Sequence, residues 1–295
     1  MAATLGRAAF TGRLLPQGEA LRPIDPLILS QSRVTFSFLV LLPVLWLLRG
    51  AGRLRLPVSA IGRLFLLGIL GVAASNYFYY LAIQRTNVAV AIILQYTAPV
   101  WVLLYMVMRG LQRATLQRVA AAALALGGIV LVIGIAGSGG QQLDTLGVAA
   151  AMLAAFAFAF YNVGGHGLLA RYDRWTVLLF VTSSASLFWL IVNPPWKIAA
   201  AHYSAVEWTF LLIFSLLSVL APFSLYFAGL QHLEPTRAIV VSCLEPVFSI
   251  VIAAVALGEV MRPVQMMGIV LVLAATLVVQ LPDRKGEATV VEPIE

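Results

Sequence analysis

The chain has 295 residues, of which 61% are hydrophobic and only 11% are charged, and its formal net charge is +7. A soluble domain has about 45–50% apolar and about 25% charged residues, so this composition is typical of a protein with several membrane spans. The basic residues lie in short connectors between apolar runs, a pattern that orients membrane proteins, so the positive charge does not indicate nucleic-acid binding.

The first segment of the chain, residues 1–24, contains no uninterrupted apolar run of the roughly 20 residues that a membrane span needs. Arg7, Arg13, Glu19 and Arg22 interrupt it. An arginine at mid-membrane costs roughly 2.5–3.5 kcal/mol on insertion scales. We therefore expect an irregular N-terminus with a degenerate or truncated first helix; the alternative is an amphipathic helix on the membrane surface.

Nine clear apolar runs follow this segment, and each is about long enough to cross a membrane. They are too long for barrel strands and show no sustained alternation of apolar and polar residues. The sequence therefore predicts an all-α integral membrane protein with nine clear transmembrane helices. The runs span about 26–48, 61–83, 87–107, 115–136, 145–169, 175–193, 207–230, 235–257 and 263–281.

The connectors differ in their content of Lys and Arg. Alternate connectors, starting with 49–63, together with the C-terminal tail (282–295) hold twelve basic residues, whereas the intervening connectors hold three. Positively charged connectors remain in the cytoplasm. We therefore predict a multi-pass protein of the cell (inner) membrane with a cytoplasmic C-terminus.

One stretch of the sequence occurs twice, at residues 79–100 and 226–247. A shift of 147 positions aligns the identical residues Tyr79 with Tyr226, Gln84 with Gln231, Ala91 with Ala238, Ile92 with Ile239, Pro99 with Pro246, and Val100 with Val247. Internal repeats are typical of alternating-access transporters, whose related halves enclose a site near the bilayer midplane. We predict a first repeat at 1–137 and a second at 138–281, related to each other by inversion.

Several motifs recur in order in both halves. Gln-Tyr-Thr-Ala-Pro-Val at 95–100 and Leu-Glu-Pro-Val at 244–247, with Leu-Gly-Glu at 257–259 and Gln265, resemble the repeats of EamA-type members of the drug/metabolite transporter superfamily. The resemblance covers about residues 25–281. It implies ten helices in two inverted five-helix repeats, cytoplasmic termini, and secondary export of a small metabolite, amino acid or toxic compound.

Glu245 is the only acidic residue deep within a predicted span. It lies ten residues after Pro235, which places it roughly 15 Å into a hydrocarbon core about 30 Å thick. Desolvation favours the neutral form of a carboxylate, as a proton-coupling group requires. The alternative is a permanently paired or protonated residue that only ties helices together; the repeat counterpart of Glu245 is Ala98.

Pro99 and Pro246 lie at equivalent positions in the middle of their spans. Each removes a backbone donor, which leaves a carbonyl one turn earlier without its usual partner. Such breaks in a helix can coordinate a solute and act as hinges, and a plain kink that shapes the packing is the alternative.

Polar residues within the spans are the candidates for a cavity lining. Arg33 lies seven residues into the first clear span and is a candidate to bind a carboxylate; snorkelling or pairing with an acidic residue is the alternative. The other candidates are Asn76, Tyr80, Gln95, Trp101, Tyr161, Asn162 and Tyr226. The aromatic ones are equally consistent with interfacial belts or helix contacts, whereas an amide in hydrocarbon needs a partner.

Enzyme activity is not indicated, because the chain has no His-Glu-x-x-His, Walker A or Gly-x-Ser-x-Gly motif and its three histidines are scattered. The single cysteine, Cys243, excludes an intrachain disulfide and a multi-cysteine metal site. We expect no cofactor, no metal and no nucleic-acid partner, but a small-molecule substrate, the lipid bilayer and protons. A non-transporting scaffold and a channel-like permease are the rival functions.

Overall fold

The computed structural model describes residues 24–50, 56–86, 88–133, 144–248, 251 and 263–281. Within these ranges the chain is helical, with turns and short connectors and no strand. The predicted irregular N-terminus lies almost wholly outside the described residues, as does the C-terminal tail, 282–295. The predictions for these two segments therefore stay predictions.

The described residues of the first half form six α-helices and one π-helical turn. The helices are α1 (Pro26–Arg49), α2 (Val58–Leu66), α3 (Ala74–Arg85), α4 (Val88–Gln95), α5 (Ala98–Met108) and α6 (Leu116–Ile133). A π-helical turn, Leu67–Ala73, joins α2 to α3 in one continuous span. Helices α4 and α5 form another span, which is interrupted at residues 96–97.

The helices in the described residues of the second half are α7 (Thr145–Leu169), α8 (Arg174–Val192), α9 (Pro195–Ala199), α10 (Ala205–Ser215), α11 (Ala221–Leu230), α12 (Pro235–Ser242) and α13 (Pro263–Gln280). From α8 onward, they repeat the order of the first half, with the short α9 in addition. A second π-helical turn, Leu216–Leu220, joins α10 to α11. Residues 244–248 form a helical turn directly after the interruption at Cys243.

Side-chain caps define where several helices begin. The Asp25 carboxylate accepts hydrogen bonds from the first turn of α1, and Asp173 does the same for α8. Ser204 and Glu207 form a reciprocal capping box at the start of α10. These contacts satisfy backbone donors that have no partner within the helix, which is why the spans start at these residues.

In the described part of the chain, seven helices are long and apolar enough to cross a membrane, and Leu116–Leu131 is a shorter apolar helix. Within the described residues, every one of the nine predicted runs is helical. The run at 235–257 is described only to residue 248 and at residue 251. The all-helical membrane fold is thus confirmed, and the count of nine spans stays a prediction.

Helix boundaries recur in the two halves with the shift of 147 residues found in the sequence. The matched starting residues are Val58 and Ala205, Val88 and Pro235, and Leu116 and Pro263. The two π-helical turns end at equivalent positions, Ala73 and Leu220. The duplication therefore extends from the sequence motifs to the helices and their irregular turns.

Two pairs of equivalent helices pack against each other in antiparallel orientation. In the α1–α8 pair, the Arg49 guanidinium at the end of α1 bonds to Asp173 at the start of α8. At the opposite end, the Asn193 side-chain amide donates to Gln31 Oε1 at 2.9 Å. Early residues of one helix thus face late residues of its counterpart.

The α6–α13 pair has the same arrangement. The Gln117 amide, near the start of α6, donates to the Val278 carbonyl near the end of α13 at 2.7 Å. Further along, Gly128 lies against Gly268 and Val272. Small residues let the two backbones approach closely, which is a common way for helices to associate in a membrane.

We expect Gly128→Ala to destabilise the protein, because a Cβ at this position would lie 2.7 Å from Val272 Cγ2 and 2.8 Å from the Gly268 carbonyl oxygen. Overpacking of this kind costs about 1–3 kcal/mol. Gly127→Ala is the matched control, since a Cβ at this position would have no neighbour within 4 Å apart from the backbone of its own helix. Thermal unfolding in detergent, followed by circular dichroism, should show a lower Tm for Gly128→Ala only. Equal Tm values for the two variants would contradict the close α6–α13 contact.

Ion pairs join connectors that the charge distribution predicts to lie on the same side of the membrane. Arg118 Nη2 lies 3.1 Å from Glu234 Oε2, and both connectors are predicted to be cytoplasmic. Arg85 Nη1 lies 3.7 Å from Asp144 Oδ2, and both of these connectors are predicted to be on the opposite side. The packing of the helices therefore agrees with the predicted grouping of the connectors.

Candidate functional site

Polar side chains from both halves meet in a group that we call the central polar cluster. The halves contribute helices α1 and α3, the two interruptions, and the second π-helical turn. Its members are Arg33, Tyr79, Tyr80, Tyr96, Ser218 and Glu245. Three of these, Arg33, Tyr80 and Glu245, are predicted site residues.

The Arg33 side chain, from the first half, contacts residues of both halves. Its Nε donates to Ser218 Oγ at 2.9 Å, and its Nη2 donates to the Ser218 carbonyl oxygen at 3.0 Å. Its Nη1 donates to the Tyr80 hydroxyl at 3.3 Å, and the guanidinium lies 5.6 Å from the ring centroid of Phe214. Ser218 lies within the π-helical turn, a structure that often occurs at functional sites. Arg33 is therefore held by contacts with both halves of the chain.

Glu245 lies in the helical turn directly after the interruption of the second-half span. Its side chain is exposed, and its Oε2 accepts a hydrogen bond from the Tyr96 hydroxyl at 3.0 Å. Tyr96 lies at the equivalent interruption of the first half. The carboxylate is thus held at the place where both broken spans meet, and it keeps an accessible face.

Arg33 and Glu245 carry opposite charges and lie within electrostatic range of the same tyrosine. Both act electrostatically on the Tyr79 hydroxyl, which also lies next to Tyr80. The cluster therefore presents a guanidinium from the first half and a carboxylate from the second half to the same region. In the described residues, no group of three or more His, Cys, Asp or Glu side chains is placed to hold a metal ion.

Both predicted helix breaks coincide with interruptions in the structure. Helix α4 ends at Gln95 and α5 begins at Ala98, so Pro99 lies in a first turn, where its missing N–H is not needed. Pro246 has an equivalent place in the turn 244–248. The Thr97 hydroxyl donates to the Leu94 carbonyl at 2.7 Å, which satisfies one backbone acceptor beside the break.

Asn162 and Tyr226 form a second polar contact between helices. Asn162 is fully buried; its Nδ2 donates to the Phe158 carbonyl at 2.8 Å, and its Oδ1 accepts from the Tyr226 hydroxyl. Tyr226 lies within electrostatic range of Cys243, which in turn lies within range of Glu245.

Three other predicted residues have more local surroundings. The Asn76 amide donates to the Val72 carbonyl of its own span at 2.8 Å. The Gln95 amide donates to Ser75 Oγ at 3.3 Å. Tyr161 is buried in an aromatic stack, and among the described residues its hydroxyl has no hydrogen-bond partner.

Trp101 lies apart from the cluster. Its ring packs on Phe156 with centroids 4.4 Å apart, and its Nε1 donates to Thr97 Oγ1 at 3.1 Å. The side chain lines an apolar groove between α2, α5 and α7. The structure does not bring Trp101 together with the other predicted cavity residues.

Sequence reasoning did not select Tyr79, Tyr96 or Ser218. Tyr79 and Tyr96 lie within the repeated stretch, so the repeat itself pointed to their positions. No sequence pattern indicated Ser218 as a site residue, because a serine in an apolar run commonly hydrogen-bonds to the backbone of its own helix. Only the packing of α1 against the second π-helical turn makes it a partner of Arg33.

Two segments of the chain, 8–134 and 145–281, match the sequence model of the EamA-like transporter family. The chain belongs to the EamA-like transporter family. The first matched segment begins within the stretch for which the sequence predicts no clear span. The motif resemblance is therefore confirmed.

Relatives of this EamA-like protein include named transporters. The threonine/homoserine exporter RhtA of Escherichia coli is 27% identical over 241 residues, covering 81% of this chain and 76% of RhtA. The uncharacterized inner membrane transporter YicL of Salmonella typhimurium is 25% identical over 225 residues, with 75% and 74% covered. These relatives and the apolar helices support a multi-pass membrane transporter.

The fold also has a solved counterpart. A crystal structure of a protein superimposes with a TM-score of 0.75 at 21% sequence identity. The match covers 95% of this chain and 91% of the other. At this identity the likeness concerns the fold alone, and it extends over nearly all of this EamA-like chain.

Proposed function

We propose that this EamA-like transporter exports a small zwitterionic metabolite of the amino-acid class by alternating access, in exchange for protons taken up at Glu245. The observation that carries the proposal is that Arg33 and Glu245 both lie within electrostatic range of one side chain, Tyr79. These two residues come from different halves of the chain and bear opposite charges.

A zwitterion matches this pair of charges. A guanidinium binds a carboxylate through two parallel hydrogen bonds, and Arg33 Nη1 has a long bond to Tyr80 that a ligand can replace. The exposed Glu245 carboxylate is suited to an ammonium group. A solute with one charge would leave the opposite protein charge unpaired in a low-dielectric site, which is costly.

Alternating access draws support from the antiparallel pairing of equivalent helices. Arg49 with Asp173 and Gln117 with Val278 each join opposite ends of two repeat-related helices. Such contacts are expected from inverted repeats that share a pseudo-two-fold axis in the membrane plane. In this proposal, the interruptions at 96–97 and at Cys243 act as the hinges.

Exchange with protons follows from competition for one carboxylate. When Glu245 is ionised, it attracts the ammonium group of the solute; when it is protonated, that attraction is lost. Because the proton and the ammonium group exclude each other, solute leaves one side as a proton is taken up there. A proton gradient directed into the cell then drives export.

The substrate class and the location draw further support from the relatives. RhtA is named as a threonine/homoserine exporter, and both compounds are zwitterionic amino acids. YicL is named as an inner membrane transporter. We place this protein in the inner membrane as well, with the C-terminus in the cytoplasm, on the basis of the charge distribution.

Counterflow in proteoliposomes tests the proposal. Vesicles loaded with unlabelled threonine should take up external labelled threonine with saturable kinetics, and vesicles without protein should not. The decarboxylated amine and the methyl ester of threonine should compete poorly, because each lacks the carboxylate. Linear, non-saturating flux would indicate a channel-like permease. The absence of counterflow for every member of an amino-acid panel would favour a scaffold.

A further inference from the structure

An apolar groove lies between α2, α5 and α7. Its volume is about 710 Å³. Aromatic side chains form much of its wall, namely Trp101, Tyr105, Phe156 and Phe160. None of the residues that line the groove belongs to the central polar cluster, and the proposed transport makes no use of it.

One end of the groove is basic. Arg63 of α2 and Arg171, two residues beyond the end of α7, both line it and are both exposed. No acidic side chain lines the groove among the described residues. The connectors that carry these arginines belong to the set that is predicted to be cytoplasmic.

The groove extends well into the membrane. Along α7 its wall runs from Phe156 to Leu168. Twelve residues of helix rise about 18 Å, which is more than half of a hydrocarbon core about 30 Å thick. Met108 and Leu104 of α5 face the same space and are exposed. The apolar part of the groove thus extends from the basic end to a position deep in the bilayer.

We propose that this groove binds an anionic phospholipid of the cytoplasmic leaflet, with an acyl chain along the aromatic wall and the phosphate on Arg63 and Arg171. Guanidinium groups pair with phosphate through two parallel hydrogen bonds. Basic pockets between transmembrane helices on the cytoplasmic side are a known type of site for anionic headgroups. The groove is basic at one end and apolar along the rest of its length. A phospholipid has the matching order, with an anionic headgroup followed by apolar acyl chains.

Charge also disfavours a second copy of the chain as the occupant. In a two-fold dimer built on this face, the basic rims of both copies would meet, because the symmetry axis lies along the membrane normal. Four guanidinium groups would then repel one another near the membrane surface. A lipid phosphate removes this unfavourable charge, whereas a second copy doubles it.

Native mass spectrometry of the full chain in detergent with an equimolar mixture of phosphatidylglycerol and phosphatidylcholine tests the proposal. The wild-type protein should retain phosphatidylglycerol, and the double variant Arg63→Gln/Arg171→Gln should lose this preference by about tenfold or more. The double variant Arg109→Gln/Arg113→Gln changes the net charge by the same amount on the same predicted side, outside the groove. It should bind lipid as the wild type does.

A fluorescence measurement locates the acyl chain. Phosphatidylglycerol with brominated chains should quench Trp101, so the quenched fraction should fall in Trp101→Phe and in the groove double variant. Equal lipid retention by both double variants would overturn the proposal. Equal quenching by brominated phosphatidylcholine would also overturn it, since the contact would then be ordinary solvation by lipid. A species of two protein chains without bound lipid, whose abundance differs between the wild type and the groove double variant, would instead assign this face to a dimer.

Discussion

Glu245→Gln is expected to abolish export that is driven by a pH gradient, down to the level of vesicles without protein. The glutamine side chain can neither take up a proton nor attract an ammonium group by charge. Its carbonyl oxygen can still accept the hydrogen bond that Tyr96 donates at 3.0 Å. The helix interruption and the fold should therefore persist, and the loss should be confined to transport.

The measurement is efflux of labelled threonine from proteoliposomes with and without an imposed pH gradient. Wild-type flux should vary with pH, whereas any flux that remains in Glu245→Gln should not. Glu245→Asp is the matched control, because it keeps a titratable carboxylate and should restore part of the coupled flux. Unchanged coupling in Glu245→Gln would show that this carboxylate only ties helices together.

The Tyr96 hydroxyl explains why this carboxylate is suited to the role. It donates one hydrogen bond to Glu245 Oε2, and the exposed side chain leaves room for a second partner. The tyrosine hydroxyl is a neutral donor, so it leaves the charge of a carboxylate uncancelled, whereas a salt-bridge partner would neutralise it. The proton or the solute ammonium group can therefore still occupy the accessible face.

Arg33→Gln is expected to weaken the binding of the zwitterion by about 10- to 100-fold, which corresponds to the loss of one charge-assisted bidentate pair. Arg33→Lys should recover only part of the affinity, because an ammonium group keeps the charge without the planar fork. The measurement is the concentration of unlabelled threonine that half-saturates counterflow. This variant tests the proposed carboxylate contact, whereas Glu245→Gln tests the proposed ammonium contact.

A matched pair of ligands separates binding from folding in this experiment. The decarboxylated amine of threonine has no group for Arg33, so its weak competition should not weaken further in Arg33→Gln. Ser218→Ala is the protein control: it removes one acceptor of Arg33 and keeps the Ser218 carbonyl, which accepts at 3.0 Å. Equal losses for threonine and the amine would refute a carboxylate contact at Arg33.

Helix positions were predictable to within a few residues. The predicted run 26–48 corresponds to Pro26–Arg49, and the run 175–193 corresponds to Arg174–Val192. A chain in hydrocarbon must satisfy every backbone donor and acceptor internally. The length of an apolar run therefore predicts the length of the helix closely. The π-helical turn Leu67–Ala73 has no such signal, since its composition equals that of the helix around it.

The sequence allowed several polar residues of the site to be predicted, but not the residues to which they are hydrogen-bonded. Arg33 and Glu245 were selected because a charge within a span is costly to bury. Their actual partners lie far away in the sequence: Ser218 is 185 positions from Arg33, and Tyr96 is 149 positions from Glu245. Trp101 was selected as an aromatic residue within a span, and packing placed it in the apolar groove between α2, α5 and α7.

By itself, the sequence determined that this protein is a duplicated, helical membrane protein of a transporter family. Those properties depend on composition, on the spacing of apolar runs and on the repeat, all of which are local or additive along the chain. The tertiary structure decided that the two broken spans meet, that Arg33 and Glu245 share one region, and that Trp101 does not join them. These outcomes depend on which face each helix turns toward its neighbours, and in a nearly uniform apolar span only the packing of both halves determines that face.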